Sequence, residues 1–260
     1  MIHNHDFDHA HNAMLFDMHC HLDFIENADE FEALTSHCGI TSLSNTVTPQ
    51  GYERVHDSFE SSQYAHVALG AHPWWIADGR IGEAELARFE ELIPVASFIG
   101  EVGLDFNAAR AETKEAQISA LRRIISACEG KLISLHASAA EKELIDLLEE
   151  TGAAKRNDCI LHWFAGPSDQ LKRAIDLGCF FSVGKRMLSS KRGREYARII
   201  PEDRLLLESD MPSKEHERYT PAQWNADLTE ALLAIAEARG EDPESLLEKI
   251  RPTSDRLLRR

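Results

Sequence analysis

Apolar positions in this chain gather into short runs that alternate with longer stretches in which they recur at helical spacing. The first run, Met14-Leu15-Phe16, leads into Asp17-Met18-His19-Cys20-His21 and predicts a strand. Further strands are expected at Ile40–Val47, His66–Ala71, Ser97–Val102, Lys131–His136, Cys159–Trp163, Cys179–Val183 and Leu205–Ser209. Helices are expected between and after them. Ala28–His37 ends at Gly39, Pro49–Tyr64 opens on a proline, and Glu83–Leu92 follows the third strand. Thr113–Cys128 carries Ile118, Leu121, Ile124 and Ile125 on one face, Ala140–Glu150 closes at Gly152, and Ser168–Leu177 stops at Gly178. Pro221–Arg239 and Pro243–Arg260 complete the chain.

Eight short strands alternating with helices predict an α/β fold of the TIM-type (β/α)8 class, built as a single domain over residues 14–260. An open doubly wound sheet is the rival, and a Gly-rich phosphate loop after the first strand would favour it; none is present. Residues 1–13 carry His3, His5, His9 and His11 without an apolar period and read as a disordered tail of no assigned function. The 260 residues, 43% hydrophobic, suffice for a large core. A formal charge of −16 argues against a protein that coats nucleic acid or an anionic membrane. Five cysteines without a C-x-x-C pair suggest neither a disulfide framework nor a zinc knuckle. With no apolar signal core or spanning run, the expectation is a soluble cytoplasmic protein with no membrane contact and no obligate protein partner.

The candidate chemistry lies at the predicted strand ends. On a regular strand, a period of two places Asp17, His19 and His21 on one face and Met18 and Cys20 on the other. In a barrel the C-terminal strand ends gather at one rim, which would bring together His19, His21, His72, Glu101, His136, His162 and Asp210. Burying such a cluster without a cation would be costly, whereas imidazole and carboxylate suit Zn, Mn, Fe or Mg-like ions. A carboxylate such as Glu101 would be able to bridge two of them. Asp17 and Asp23 are expected to orient ligating histidines from behind; ordinary strand-end or turn aspartates are the alternative, and Asp105 has no assigned role. A basic stretch, Lys185, Arg186, Lys191, Arg192, Arg194 and Arg198, follows strand seven, and reads either as a phosphate contact led by Lys185 and Arg186 or as a solvated helix face. Trp74, Trp75 and Trp163 stand beside His72 and His162, where they would either stack on a base or pack the barrel mouth.

Several motifs in order make the chain resemble the TatD-like metal-dependent hydrolases of the amidohydrolase superfamily. They are D-M-H-C-H-L-D at 17–23, G-A-H-P at 70–73, G-E-V-G-L-D at 100–105, L-I-S-L-H ending at His136, L-H-W-F-A-G at 161–166 and L-L-L-E-S-D at 205–210. The resemblance implies a barrel with two divalent ions, Mg or Mn in use and Zn or Ni as possible bound species. His19, His21, Glu101 and Asp210 would hold one and Glu101, His136 and His162 the other. It implies a deoxyribonuclease or phosphodiesterase, in several members exonucleolytic, with DNA or another phosphodiester as substrate. Read from the residues themselves, Asp210 and Glu101 are the expected catalytic carboxylates, with Asp210 orienting a water and taking its proton, and His72, Lys185, Arg186, Trp74 and Trp163 are candidate substrate contacts. Where relatives often carry H-S-R after strand five, this chain has His136-Ala137-Ser138. An amide or ester hydrolase, such as an aminoacyl-tRNA deacylase, and a non-catalytic partner subunit are the alternative readings.

Overall fold

The computed structural model describes residues 15–25, 38–60 and 62–259. The expected helix Ala28–His37 and the expected tail 1–13 lie outside the described residues. Eight strands run in chain order around one sheet: β1 (Phe16–Cys20), β2 (Thr41–Asn45), β3 (Ala65–Ala71), β4 (Phe98–Asp105), β5 (Leu132–Ser138), β6 (Asp158–His162), β7 (Phe180–Val183) and β8 (Leu205–Leu207). Each pairs in parallel with the next. Closure between β8 and β1 comes at their ends, where Asp210 N donates to His19 O at 2.9 Å and His21 N to Met211 O at 3.0 Å. This is a TIM-type barrel, as the alternation of strands and helices predicts.

The strand interior explains the register. Phe16, Met18, Leu43, Ala68, Phe98, Leu132, Ile160, Phe180 and Leu206 form one buried cluster drawn from all eight strands, closed by Leu257 and Leu258 of the final helix. A larger apolar shell lies between the strands and the helices outside them. Those helices are α1 (Pro49–Phe59), α2 (Pro73–Ala77), α3 (Glu83–Leu92), α4 (Lys114–Ala127), α5 (Glu141–Thr151), α6 (Ala153–Arg156), α7 (Ser168–Asp176), α8 (Lys185–Leu188), α9 (Lys191–Ile199), α10 (Pro221–Arg239) and α11 (Pro243–Leu258). Two of their starts are built as the sequence predicts. Pro49 and Pro221 occupy first-turn positions, and the Thr48 and Thr220 hydroxyls accept from the amides of Gly51 and Gln223.

Four local expectations change. The helix expected to reach Tyr64 ends at Phe59, and β4 runs on to Asp105, so Asp105 is a strand residue and not part of the following turn. The aromatic run after β3 turns into α2, with Pro73 at its first turn. β8 ends at Leu207, which leaves Glu208 and Asp210 beyond the strand and Asp210 at φ 56°, in the left-handed region.

Candidate metal centre

The site is built around Glu101 on β4, only 2% exposed. The glycines beside it permit close packing: a Cβ at Gly100 would lie 2.2 Å from Asn45 Oδ1, and one at Gly103 would lie 2.1 Å from His136 O. Glu101 Oε2 faces His19 Nε2 at 3.4 Å and His21 Nε2 at 3.3 Å. Its Oε1 faces His136 Nδ1 at 2.6 Å, His162 Nε2 at 3.0 Å and His72 Nε2 at 3.2 Å. Asp210 Oδ1 lies 3.5 Å from His21 Nε2 and 3.9 Å from His19 Nε2. The six expected ligands, drawn from β1 and the residue after it, from β4, β5 and β6, and from the segment after β8, therefore meet at one point.

Tautomers show what this point is suited to hold. His21 Nδ1 lies 2.8 Å from Asn45 O, and a carbonyl can only accept, so the ring carries a proton on Nδ1. Its Nε2 faces two carboxylate oxygens; burial opposes charge on the ring, but Asp210 and Glu101 raise it well above the usual imidazole range, so positive charge is called for at this nitrogen, as a proton or as a cation in its place. Burial pushes His19 down to about 3, keeping it neutral, and its Nδ1 pairs with Ser134 Oγ at 2.8 Å. His19 Nε2 is buried with no hydrogen-bond partner while facing the same two acids. A cation among these atoms removes both conflicts. The imidazole–carboxylate distances of this donor set, 3.3 to 3.9 Å, start at the roughly 3.3 Å expected between ligands of a tetrahedral ion with bonds of about 2.0–2.1 Å and run somewhat above it.

On the other side of Glu101, His136 Nδ1 and His162 Nε2 lie 3.3 Å apart, both at Oε1. Their far nitrogens face acids, His136 Nε2 3.6 Å from Asp105 Oδ2 and His162 Nδ1 3.7 Å from Glu208 Oε2. Burial opposes the charge on His136, but Asp105 and Glu101 overcome it and lift the ring to about 9. Burial also works against ionised Glu101, yet the surrounding imidazoles hold it well below the usual carboxylate range. Glu208 goes the other way: burial, with Asp210 nearby, raises it well above that range, and Ser182 Oγ donates to its Oε2. Among the described residues, the sets able to offer mutually close ligand atoms are His19–His21–Glu101, His19–His162–Asp210 and His72–Glu101–His136.

Several expected roles move. Asp17 does not share a face with His19, because the β1–β2 register shifts between Asp17 and Cys20, and Met18 joins the barrel interior. Its carboxylate instead accepts from His19 N, Ser209 N, Ser209 Oγ and Trp224 Nε1 at 3.2, 3.0, 2.5 and 2.6 Å. Burial outweighs these donors and pushes Asp17 up to about 6. Asp17 thus braces backbone, while the second nitrogens of His21 and His19 are met by Asn45 O and Ser134 Oγ. Asp23 is buried in the turn after β1, where burial lifts its carboxyl to about 6, and it contacts neither ring's second nitrogen.

His72 is also relocated, to the wall behind Glu101. Its Nδ1 accepts from Trp74 N at 3.1 Å, so its proton is on Nε2 and points to Glu101 Oε1; at 4% exposure it lies against that carboxylate and orients it. Lys185 is tied to Asp227 and Glu230 of α10 at 3.0 and 2.6 Å. Arg186 does reach the site, 3.0 Å from Asp210 Oδ2 and over the Trp163 ring at 5.5 Å. Farther along the basic stretch, Arg192 and Arg194 donate to Ala165 O and Leu188 O, and Arg198 pairs with Glu195. Trp74 donates from Nε1 to Asp105 Oδ2 at 2.5 Å and is 40% exposed. Ser138, where the family pattern has arginine, accepts from Asn107 Nδ2 at 2.7 Å.

Sequence reasoning assigned no role to Ser134, Asn45 or Glu208. Ser134 had a signal, since it lies two residues before His136 and a strand period of two gives both the same face. Glu208 had one in the acid pair of L-L-L-E-S-D, whereas Asn45 acts through its backbone carbonyl, which no residue type reveals.

Residues 16–259 match the family model described as TatD related DNase. The chain belongs to the TatD-related DNase family. It is 26% identical over 242 residues to the 3'-5' ssDNA/RNA exonuclease TatD of Citrobacter koseri, covering 86% of this chain and 89% of that one. Deoxyribonuclease TATDN3 of Homo sapiens is 27% identical over 256 residues, covering 90% of both. The TatD homologue YJJV of Escherichia coli K12 superposes with a TM-score of 0.74 at 20% identity, over 95% of this chain and 98% of that structure, and so shares the fold. As a TatD-family member the chain is a hydrolase acting on ester bonds. No helix among the described residues is long and apolar enough to cross a membrane.

Proposed function

We propose that this TatD-family chain is a two-metal phosphodiesterase acting on nucleic acid. The observation that carries the reading is His19 Nε2, a buried and unpartnered nitrogen facing Glu101 and Asp210. His19, His21, Glu101 and Asp210 would hold one cation, and Glu101, His136 and His162 the second. Such cations, when bound, lower the pKa of a water to ~7 and offset charge growing on phosphoryl oxygens.

The chain's own residues supply the rest. Asp210 is the carboxylate of the cluster open to the mouth, its side chain 13% exposed against 2% for Glu101. It orients the attacking water and accepts its proton at a carboxylate oxygen. Arg186 keeps Asp210 in place through Oδ2, and its half-exposed guanidinium has donors left for a phosphate oxygen. Glu101, fixed by His72 Nε2–H, keeps the two donor sets in register. An exonucleolytic mode, named for the Citrobacter relative, is part of this proposal for the chain.

The test is to incubate metal-loaded protein with labelled single-stranded DNA, duplex DNA, a simple phosphodiester and an N-acyl substrate, beside Asp210→Asn. Wild type is expected to cut the phosphodiesters, and Asp210→Asn to lose about a hundredfold or more in kcat with bound metal retained. Cleavage of the N-acyl compound alone would refute the reading, and full activity in Asp210→Asn would refute the role of Asp210. Metal itself has a second signature. Adding Mn or Zn at about a hundred times Kd should stabilise the fold by about 2.7 kcal/mol. At this chain length that is a Tm rise of about 5–10 °C, reversed by EDTA and readable by calorimetry. An unchanged Tm would count against resident ions.

A further inference from the structure

We propose that Arg110 and Trp74 form a nucleotide subsite beside the metal centre, the guanidinium holding the phosphate next to the scissile one and the indole taking a base. This rests on the nuclease reading and adds Arg110, which neither the motifs nor the family match assigns, as the partner of Trp74, whose base-stacking role the sequence left open against packing. Arg110 comes from the 3-10 turn Ala108–Thr113 that follows β4. Its Cζ sits 4.4 Å above the Trp74 ring. Trp74 in turn donates to Asp105 at 2.5 Å, and Asp105 faces His136 at 3.6 Å. The pair is thus anchored one residue away from the donor set.

Two features argue against a merely structural role. A guanidinium placed to neutralise Asp105 would approach it at about 2.7–2.9 Å, commonly through two bonds. Arg110 instead stands 3.5 Å away by a single nitrogen, and Asp105 is already served by Trp74 Nε1 and Asn107 N. Most of the five N–H donors of Arg110 have no acceptor among the described residues. Secondly, among the described residues Trp74 is the aromatic in the set of exposed large apolar side chains, the others being Val95, Ile199 and Leu233. Its N–H is used inward, so the ring is held in one orientation with indole surface open at the mouth. An exposed aromatic beside an underused guanidinium matches the chemistry of a nucleotide: a π-face for the base, worth about 1–3 kcal/mol in single-strand sites, and forked donors for phosphate.

Charge supports the placement. The chain carries −16, so a polyanionic strand is repelled unless cations stand at the mouth itself. Arg186 supplies one on the Asp210 side, after β7, and Arg110 supplies one on the His136 side, after β4. A strand crossing the metal centre would meet a guanidinium and a tryptophan on both sides of the scissile bond.

The experiment measures binding of a fluorescein-labelled thymidine hexanucleotide by anisotropy, in EDTA and across a salt series, for wild type, Arg110→Ala and Arg110→Lys. Arg110→Ala is expected to weaken Kd about tenfold, or about 1.4 kcal/mol, and to reduce the slope of log K against log salt by about 0.7. Arg110→Lys should recover the slope but not the full affinity, since it keeps the charge and loses the flat stack. With metal restored, the ratio of kcat/KM for the hexanucleotide to that for bis(p-nitrophenyl) phosphate should fall about tenfold in Arg110→Ala. A Kd within twofold of wild type at unchanged slope overturns the subsite. Equal losses on both substrates overturn it too, by marking Arg110 as a support for Asp105. Wild type that neither binds nor cuts the hexanucleotide yet cleaves an N-acyl compound would instead bring down the nuclease reading itself.

Discussion

Glu101→Gln is expected to lower phosphodiester hydrolysis by at least about a thousandfold, equivalent to about 4 kcal/mol of barrier, and to reduce bound metal below two equivalents. The substitution keeps the volume of a side chain that is 2% exposed, so it tests charge and not packing. Glu101 presents oxygens to five imidazoles, and the fit between neutral His19, the Nδ1–H tautomer of His21 and the carboxylates depends on a cation between them. An amide offers one oxygen and an NH2 group that would be turned against ring nitrogens on one side or the other. Metal content by plasma mass spectrometry, beside a continuous phosphodiesterase assay, provides the check. Two equivalents retained with more than a tenth of wild-type activity would show that Glu101 is not the shared ligand.

Asp17→Ala should be the most damaging change among residues that touch no predicted ligand side chain. It strips the acceptor from four donors at once: the amides of His19 and Ser209, the Ser209 hydroxyl and the indole of the fully buried Trp224. Breaking a buried network of this kind costs about 3–5 kcal/mol. For a chain of this length the expected Tm loss is about 6–20 °C. The same carboxylate ties the backbone of His19 to the segment that carries Asp210, so the variant should also bind metal about ten- to a hundredfold more weakly. Asp17→Asn keeps an acceptor for one pair of these donors and turns an NH2 group on the other pair, so it should recover only part of the stability. A Tm within 2 °C of wild type for Asp17→Ala, on a scale where 1 kcal/mol shifts Tm by about 2–4 °C, would show that the brace is dispensable.

The legibility of the site followed the range of the interactions. Barrel class and strand order were readable because each depends on local periodicity: strand runs at period two, helical stretches at period 3.6, and Gly or Pro where the elements end. The ligands were readable because a barrel turns every strand end toward one rim, so position along the strand stands in for position in space. His19, His21, Glu101, His136, His162 and Asp210 converge for that reason.

Side-chain direction was less legible. The alternation that grouped Asp17 with His19 assumes a regular strand, and the register shift between Asp17 and Cys20 breaks it. Lys185 and Arg186 are adjacent and alike in charge, yet one is drawn to Asp227 and Glu230 on α10 while the other reaches Asp210. Nothing local distinguishes them, because the deciding acids belong to distant elements.

The sequence by itself therefore determined the barrel, its strand order and the donor types that gather at its mouth. Tertiary structure decided which nitrogen each histidine turns inward, which acid stands behind it and which arginines reach the centre. The reason is physical: His19 is oriented by a serine 115 residues away, and Asp17 is held by partners 192 and 207 residues away. Hydrogen bonds over such separations leave no periodic trace along the chain and exist only once the barrel has closed.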